Sequence, residues 1–166
     1  PPAICPVCKA GREAFEKLED GLGFADEHRL GIARDAGPQL AAALETHLLR
    51  DCREAARDLA LARACDRDGC PEAGGALERV ALDKLRHAAR LTELLGEGIS
   101  LHSRENLDLR ARAAADHCAG KHALAVQARE LGHDAIHDAL HEMAKDEARH
   151  AQALMGLLER LFPEQG

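Results

Sequence analysis

From Pro38 onward apolar residues recur at helical spacing, with Leu40, Leu44 and Leu48 on one face of a run that the breaker DRDGCP ends near Arg67. The Gly/Pro-punctuated stretch GIARDAGPQ leads into this run and sets Pro38 in the first turn of a helix. A second helix is predicted over about residues 72–96, stopped by GEG. SLHSRENLDL starts a third, with Ser103 and Glu105 near its N-terminus, running to about 131. ELGHDA turns into a fourth over about 134–162, which FPEQG ends. Turns are short within each pair of helices and the link between pairs is longer, a pattern that predicts a four-helix bundle.

The second pair repeats the first without a gap at an offset of 63 residues. Ala60-Leu61-Ala62 falls on Ala123-Leu124-Ala125, and Gly69 on Gly132. Ala76-Leu77 falls on Ala139-Leu140, Arg86-His87-Ala88 on Arg149-His150-Ala151, and Leu94-Leu95 on Leu157-Leu158. Agreement across both helices of each pair implies a duplicated helical hairpin. Within it, DKLRH (83–87) corresponds to DEARH (146–150).

Composition narrows the packing. Hydrophobic residues make up 46% of the 166, yet aromatics only 2%, with no Trp and no Tyr. The core must be built from Leu, Ala, Val and Ile, which suits close-packed helices. A net charge of −7 argues against a nucleic-acid or acidic-membrane partner. No apolar run is long enough to span a bilayer and no signal-peptide pattern opens the chain. Six scattered cysteines do not make a secreted disulfide scaffold, so the expected compartment is the cytoplasm.

Glu147 and His150 form a Glu-x-x-His pair, whose spacing puts carboxylate and imidazole one turn apart on one helix face. Duplicated hairpin bundles commonly hold two irons this way, with a further Glu from the other helix of each pair. In the first copy His87 is kept, but Lys84 stands in place of the acid. Asp51 is a candidate for the acid on the first helix, and Glu54, one turn on, is another. The repeat pairs Asp51 with Ala114, and Asp116 lies on the far face of that helix. An ammonium group coordinates metal only when deprotonated. Lys84 could instead neutralise Glu147 or Asp51 as an ion pair, or reach out to water.

CPVCKAGREAFEKL, GIARDAGPQ, ADHCAGK, DAIHDALHEMAKDEARHAQALMGLLERLF and the Gly-Cys-Pro-Glu turn resemble the rubrerythrins, in the branch with its rubredoxin-like module before the bundle. The resemblance covers nearly the whole chain. It implies an all-α, ferritin-like four-helix bundle over 37–166, preceded by a partial rubredoxin-like segment and linker over 1–36. It also implies a non-haem di-iron centre that reduces hydrogen peroxide in oxidative-stress defence, in a cytoplasmic homodimer supplied by an electron-donor protein or reductase. The metal positions carried over are Asp51, Glu54, His87, Glu147 and His150, while Lys84 and Ala114 occupy two of the family's glutamate positions. The tyrosines that the family places near iron have no counterpart here.

Cys5 and Cys8 are half of a tetrathiolate site for rubredoxin-type iron or for zinc. The other half lies outside this chain, comes from a second chain, or has been lost. His133, His137 and His141 form a stripe able to take zinc or copper, although a partly exposed helix face is the simpler account of it. Three functions compete: a peroxide-reducing iron oxidoreductase with an altered di-iron or a mononuclear site; a metal-free structural or interaction bundle; and a metal-storage or metal-sensing protein.

Overall fold

The structure, a computed structural model, describes Ile4, Lys9 and residues 29–163. It is all-α, with four long helices and no β-strand among the described residues, as a four-helix bundle made of two repeated hairpins requires. Helix α1 spans Pro38–Arg67, α2 Pro71–Leu95, α3 Ser103–Glu130 and α4 Asp134–Leu161. These bounds lie within a residue or two of those the hydrophobic pattern predicts. Pro38 does open α1, where its missing N–H costs no hydrogen bond. Among the described residues no helix is long and apolar enough to cross a membrane.

The chain divides into two compact units, one holding α1 and α2, the other α3 and α4. In the first, a short 3-10 turn (Ile32–Asp35) docks on the end of α2. There the Gly31 N–H donates to the Glu93 carbonyl at 2.8 Å and Arg34 Nε donates to the Leu95 carbonyl at 3.3 Å. These bonds satisfy carbonyls that a helix C-terminus otherwise leaves to solvent. In the second unit, the Asn106 side chain holds both the N–H and the carbonyl of Ser100 at 2.7 Å, fixing the entry to α3. Ser103 makes no side-chain cap; Glu105 bonds the Ser100 hydroxyl instead.

Each hairpin closes on a seam of alanines. Ala55, Ala62, Ala81 and Ala88 are buried in the first, and Ala111, Ala114, Ala125, Ala128 and Ala144 in the second. Two of the buried positions coincide across the repeat, Ala62 with Ala125 and Ala81 with Ala144. Small side chains let two helices approach closely, since interaxial distance follows the residues at the contact. Leu95 is also buried, while Leu82, Leu85, Leu109, Leu124, Met143 and Met155 are exposed.

Both hairpin turns have the same construction. Gly69 and Gly132 adopt positive φ, 80° and 77°, a conformation open to glycine at little steric cost. After α1, the Gly69 N–H bonds the Asp66 carbonyl (3.2 Å) and the Cys70 N–H reaches back to the Cys65 carbonyl (2.9 Å). After α3, Gly132 bonds Arg129 (3.0 Å) and His133 bonds Ala128 (2.8 Å) in the same way. This is the Schellman ending, which reverses the chain within three residues and sets the hairpin register.

Candidate metal centre

In the first hairpin Lys84 does not reach Asp51. Its ammonium donates to Asp58 Oδ2 at 2.7 Å, across the α1–α2 seam. Asp58 is 7% exposed, and it is the buried charged residue among the described positions. Of the two partners the sequence offered Lys84, Asp51 is thus replaced by an acid two turns further along the same face of α1. Glu147 is taken by another lysine. Asp51 itself is half-buried, and Glu54 pairs along its own helix with Arg57 at 2.7 Å. His87 is exposed.

The second hairpin contains the same contact with its charges reversed. Lys121 on α3 donates to Glu147 Oε1 on α4. Lys121 lies 63 residues after Asp58, and Glu147 lies 63 after Lys84, so both partners occupy equivalent positions in the repeat. The hydrogen bond from Lys121 holds the Glu147 carboxyl below the usual carboxylate range. Partial burial opposes that shift; the Lys121 charge, a bond with His150 and the His117 charge reinforce it. His150 Nδ1 lies 3.6 Å from Glu147 Oε2, while most of the His150 side chain faces solvent. Where the repeat places Asp51, Ala114 is buried in the seam.

The outer residues of DKLRH and DEARH behave alike in the two copies. Asp83 pairs with Arg86 at 2.6 Å, and Asp146 pairs with Arg149, both on the exposed surface. Such surface pairs contribute little to stability. Among the charged and histidine residues of the two motifs, only Lys84 and Glu147 are drawn in from the exposed surface.

Among the described residues no three His, Cys, Asp or Glu side chains gather into a group able to hold a metal ion. Cys5 and Cys8 lie outside the described residues. In the histidine stripe, His137 and His141 stack with ring centroids 5.6 Å apart, and His137 Nδ1 sits 2.9 Å from the Ala125 carbonyl oxygen. His133 is exposed at the start of α4. Asp58 and Lys121 did not enter the sequence-based site. Their signal was available, because the two columns of the repeat that face each other both reverse charge between copies.

No protein-family model and no solved structure matches the chain. Two curated proteins are similar to it. Reverse rubrerythrin-1 of Clostridium acetobutylicum is 43% identical over 162 residues, covering 97% of this chain and 90% of the relative. An uncharacterised protein of Methanocaldococcus jannaschii is 36% identical over 141 residues, covering 85% of this chain and 98% of the relative. With identity at that level running through both repeated hairpins, the chain belongs to the rubrerythrin family.

Proposed function

We propose that this rubrerythrin-family protein has exchanged the family's paired-iron centre for two lysine–carboxylate ion pairs and serves as a metal-free structural or interaction bundle. The observation that carries this reading is the reversed pair of contacts, Asp58–Lys84 in one hairpin and Lys121–Glu147 in the other. Both positions of the Glu-x-x-His acid are occupied by members of these pairs. One is an ammonium, which offers no lone pair to a metal; the other is a carboxylate already neutralised. A methyl group at Ala114 removes a third acid. This donor set does not fit two trivalent irons, whose charge needs several free carboxylates nearby. The exposed leucines and methionines support association of the bundle as a homodimer.

A second reading keeps iron and the reduction of hydrogen peroxide, in the cytoplasm and with an electron-donating partner protein. It assigns iron, as a pair or a single ion, to Asp51, Glu54, His87, Glu147 and His150, with Cys5 and Cys8 in a separate thiolate site. The adjacency of Glu147 and His150 and the name of the Clostridium relative favour it.

Elemental analysis of anaerobically purified protein distinguishes the two, with wild type beside Lys84→Glu combined with Ala114→Glu. The primary reading expects wild type with far less than one bundle iron per chain, undiminished helicity and no iron-dependent peroxide turnover. Iron near two per chain in wild type, persisting in a Cys5→Ser/Cys8→Ser background, would overturn it. Bundle iron at one or two per chain in that same background, with iron-dependent peroxide turnover, would establish the second reading.

A further inference from the structure

The Schellman turn after α1 carries a cysteine at each of the two positions it brings together. Cys65 provides the carbonyl and Cys70 the N–H of its outer hydrogen bond, 2.9 Å long. With standard backbone dimensions, that bond confines the two Cα atoms to within about 6.8 Å of each other. Bridged cysteines have Cα separations of roughly 4.4–6.8 Å. Side chains at these two positions of a Schellman ending commonly touch. Both thiols are free; Cys70 is exposed and Cys65 half-buried. The repeat does not require cysteine here, for the equivalent turn has Ala128 and His133. Neither thiol takes part in the ion pairs or in any metal position considered above.

We propose that Cys65 and Cys70 are a peroxide-responsive dithiol, which hydrogen peroxide converts to an intrachain disulfide across the α1–α2 turn. Peroxide oxidises the exposed Cys70 thiol to a sulfenic acid and releases one water. The Cys65 sulfur then attacks the Cys70 sulfur; the S–O bond breaks, the S–S bond forms, and a second water leaves with the Cys65 proton. Two thiols lose two electrons and two protons, and one peroxide accepts both. A small-molecule dithiol reverses the step by thiol–disulfide exchange. The bond would lock the turn that sets the register of α1 against α2. Because it uses no bundle metal, it stands whether or not iron is bound elsewhere.

The test uses the full chain treated with hydrogen peroxide, alkylated to block remaining thiols and digested with trypsin without reduction. Cleavage after Arg63, Arg67 and Arg79 puts Cys65 in peptide 64–67 and Cys70 in peptide 68–79. The expected product is these two peptides joined, at the summed mass less two hydrogens, separating on reduction. The Cys65→Ser variant should lose the joined product and accumulate a Cys70 sulfenic acid that dimedone traps. Cys52→Ser and Cys118→Ser should leave the product unchanged. Recovery of Cys65 and Cys70 as alkylated thiols, of Cys70 joined to another cysteine or another chain, or of irreversible sulfinic acid at Cys70 in wild type would each overturn the proposal.

Discussion

Replacing Lys84 with methionine keeps an unbranched side chain one atom shorter and removes its charge, leaving Asp58 in place at 7% exposure. At the observed 2.7 Å the pair gains about 6 kcal/mol of attraction at an effective dielectric of about 20. Desolvation of both groups offsets most of that. What the mutation removes in net terms is one charge-assisted hydrogen bond, worth about 1.5–3 kcal/mol. Fully buried pairs cost about 3–5 kcal/mol to break. The Lys84 side chain is still 28% exposed, so water reaches the site and the lower range applies. Lys84→Met is therefore expected to lose about 2 kcal/mol, shifting the urea midpoint by about 1 M as followed by far-UV circular dichroism. Adding Asp58→Leu removes the stranded carboxylate and should recover most of the loss. The reversed pair, Asp58→Lys with Lys84→Glu, should fold close to wild type, because α3 and α4 use that polarity at the equivalent positions. An unchanged midpoint for Lys84→Met, or a coupling energy indistinguishable from zero in the double-mutant cycle, would refute the reasoning.

In the second hairpin Glu147 has its carboxyl held below the ordinary value of 4.5, chiefly by the Lys121 hydrogen bond. A depressed folded-state value contributes stability that is present above the unfolded pKa and lost as pH falls through the folded one. Lys121→Gln is thus expected to raise the Glu147 titration midpoint, seen by carboxyl-carbon NMR, and to flatten the loss of stability below about pH 4.5. Gly74 of α2 lies close against α1: a Cβ there would lie 2.6 Å from Asp66 Oδ1 and 3.1 Å from the Ala62 carbonyl oxygen. Asp66 can swing aside but the helix backbone cannot, so overpacking exceeds alanine's propensity advantage, and Gly74→Ala should cost about 1 kcal/mol in urea unfolding.

The sequence by itself determined the four helices, because periodicity, Pro38 and the glycines at 69 and 132 act locally and fix where each helix starts or stops. It also determined the duplication, and with it the correspondence of Lys84 with Glu147 and of Asp51 with Ala114. The charge reversal at Asp58 and Lys121 was legible in the same comparison, since both columns change sign together. What the sequence left open was which acid Lys84 meets. Asp51, Glu54 and Asp58 all lie within two turns of one another on α1, and helical spacing places them without choosing among them. The choice depends on how far α1 and α2 slide past each other. The Schellman turn and the alanine seam set that register, and at that register the Lys84 ammonium falls beside Asp58.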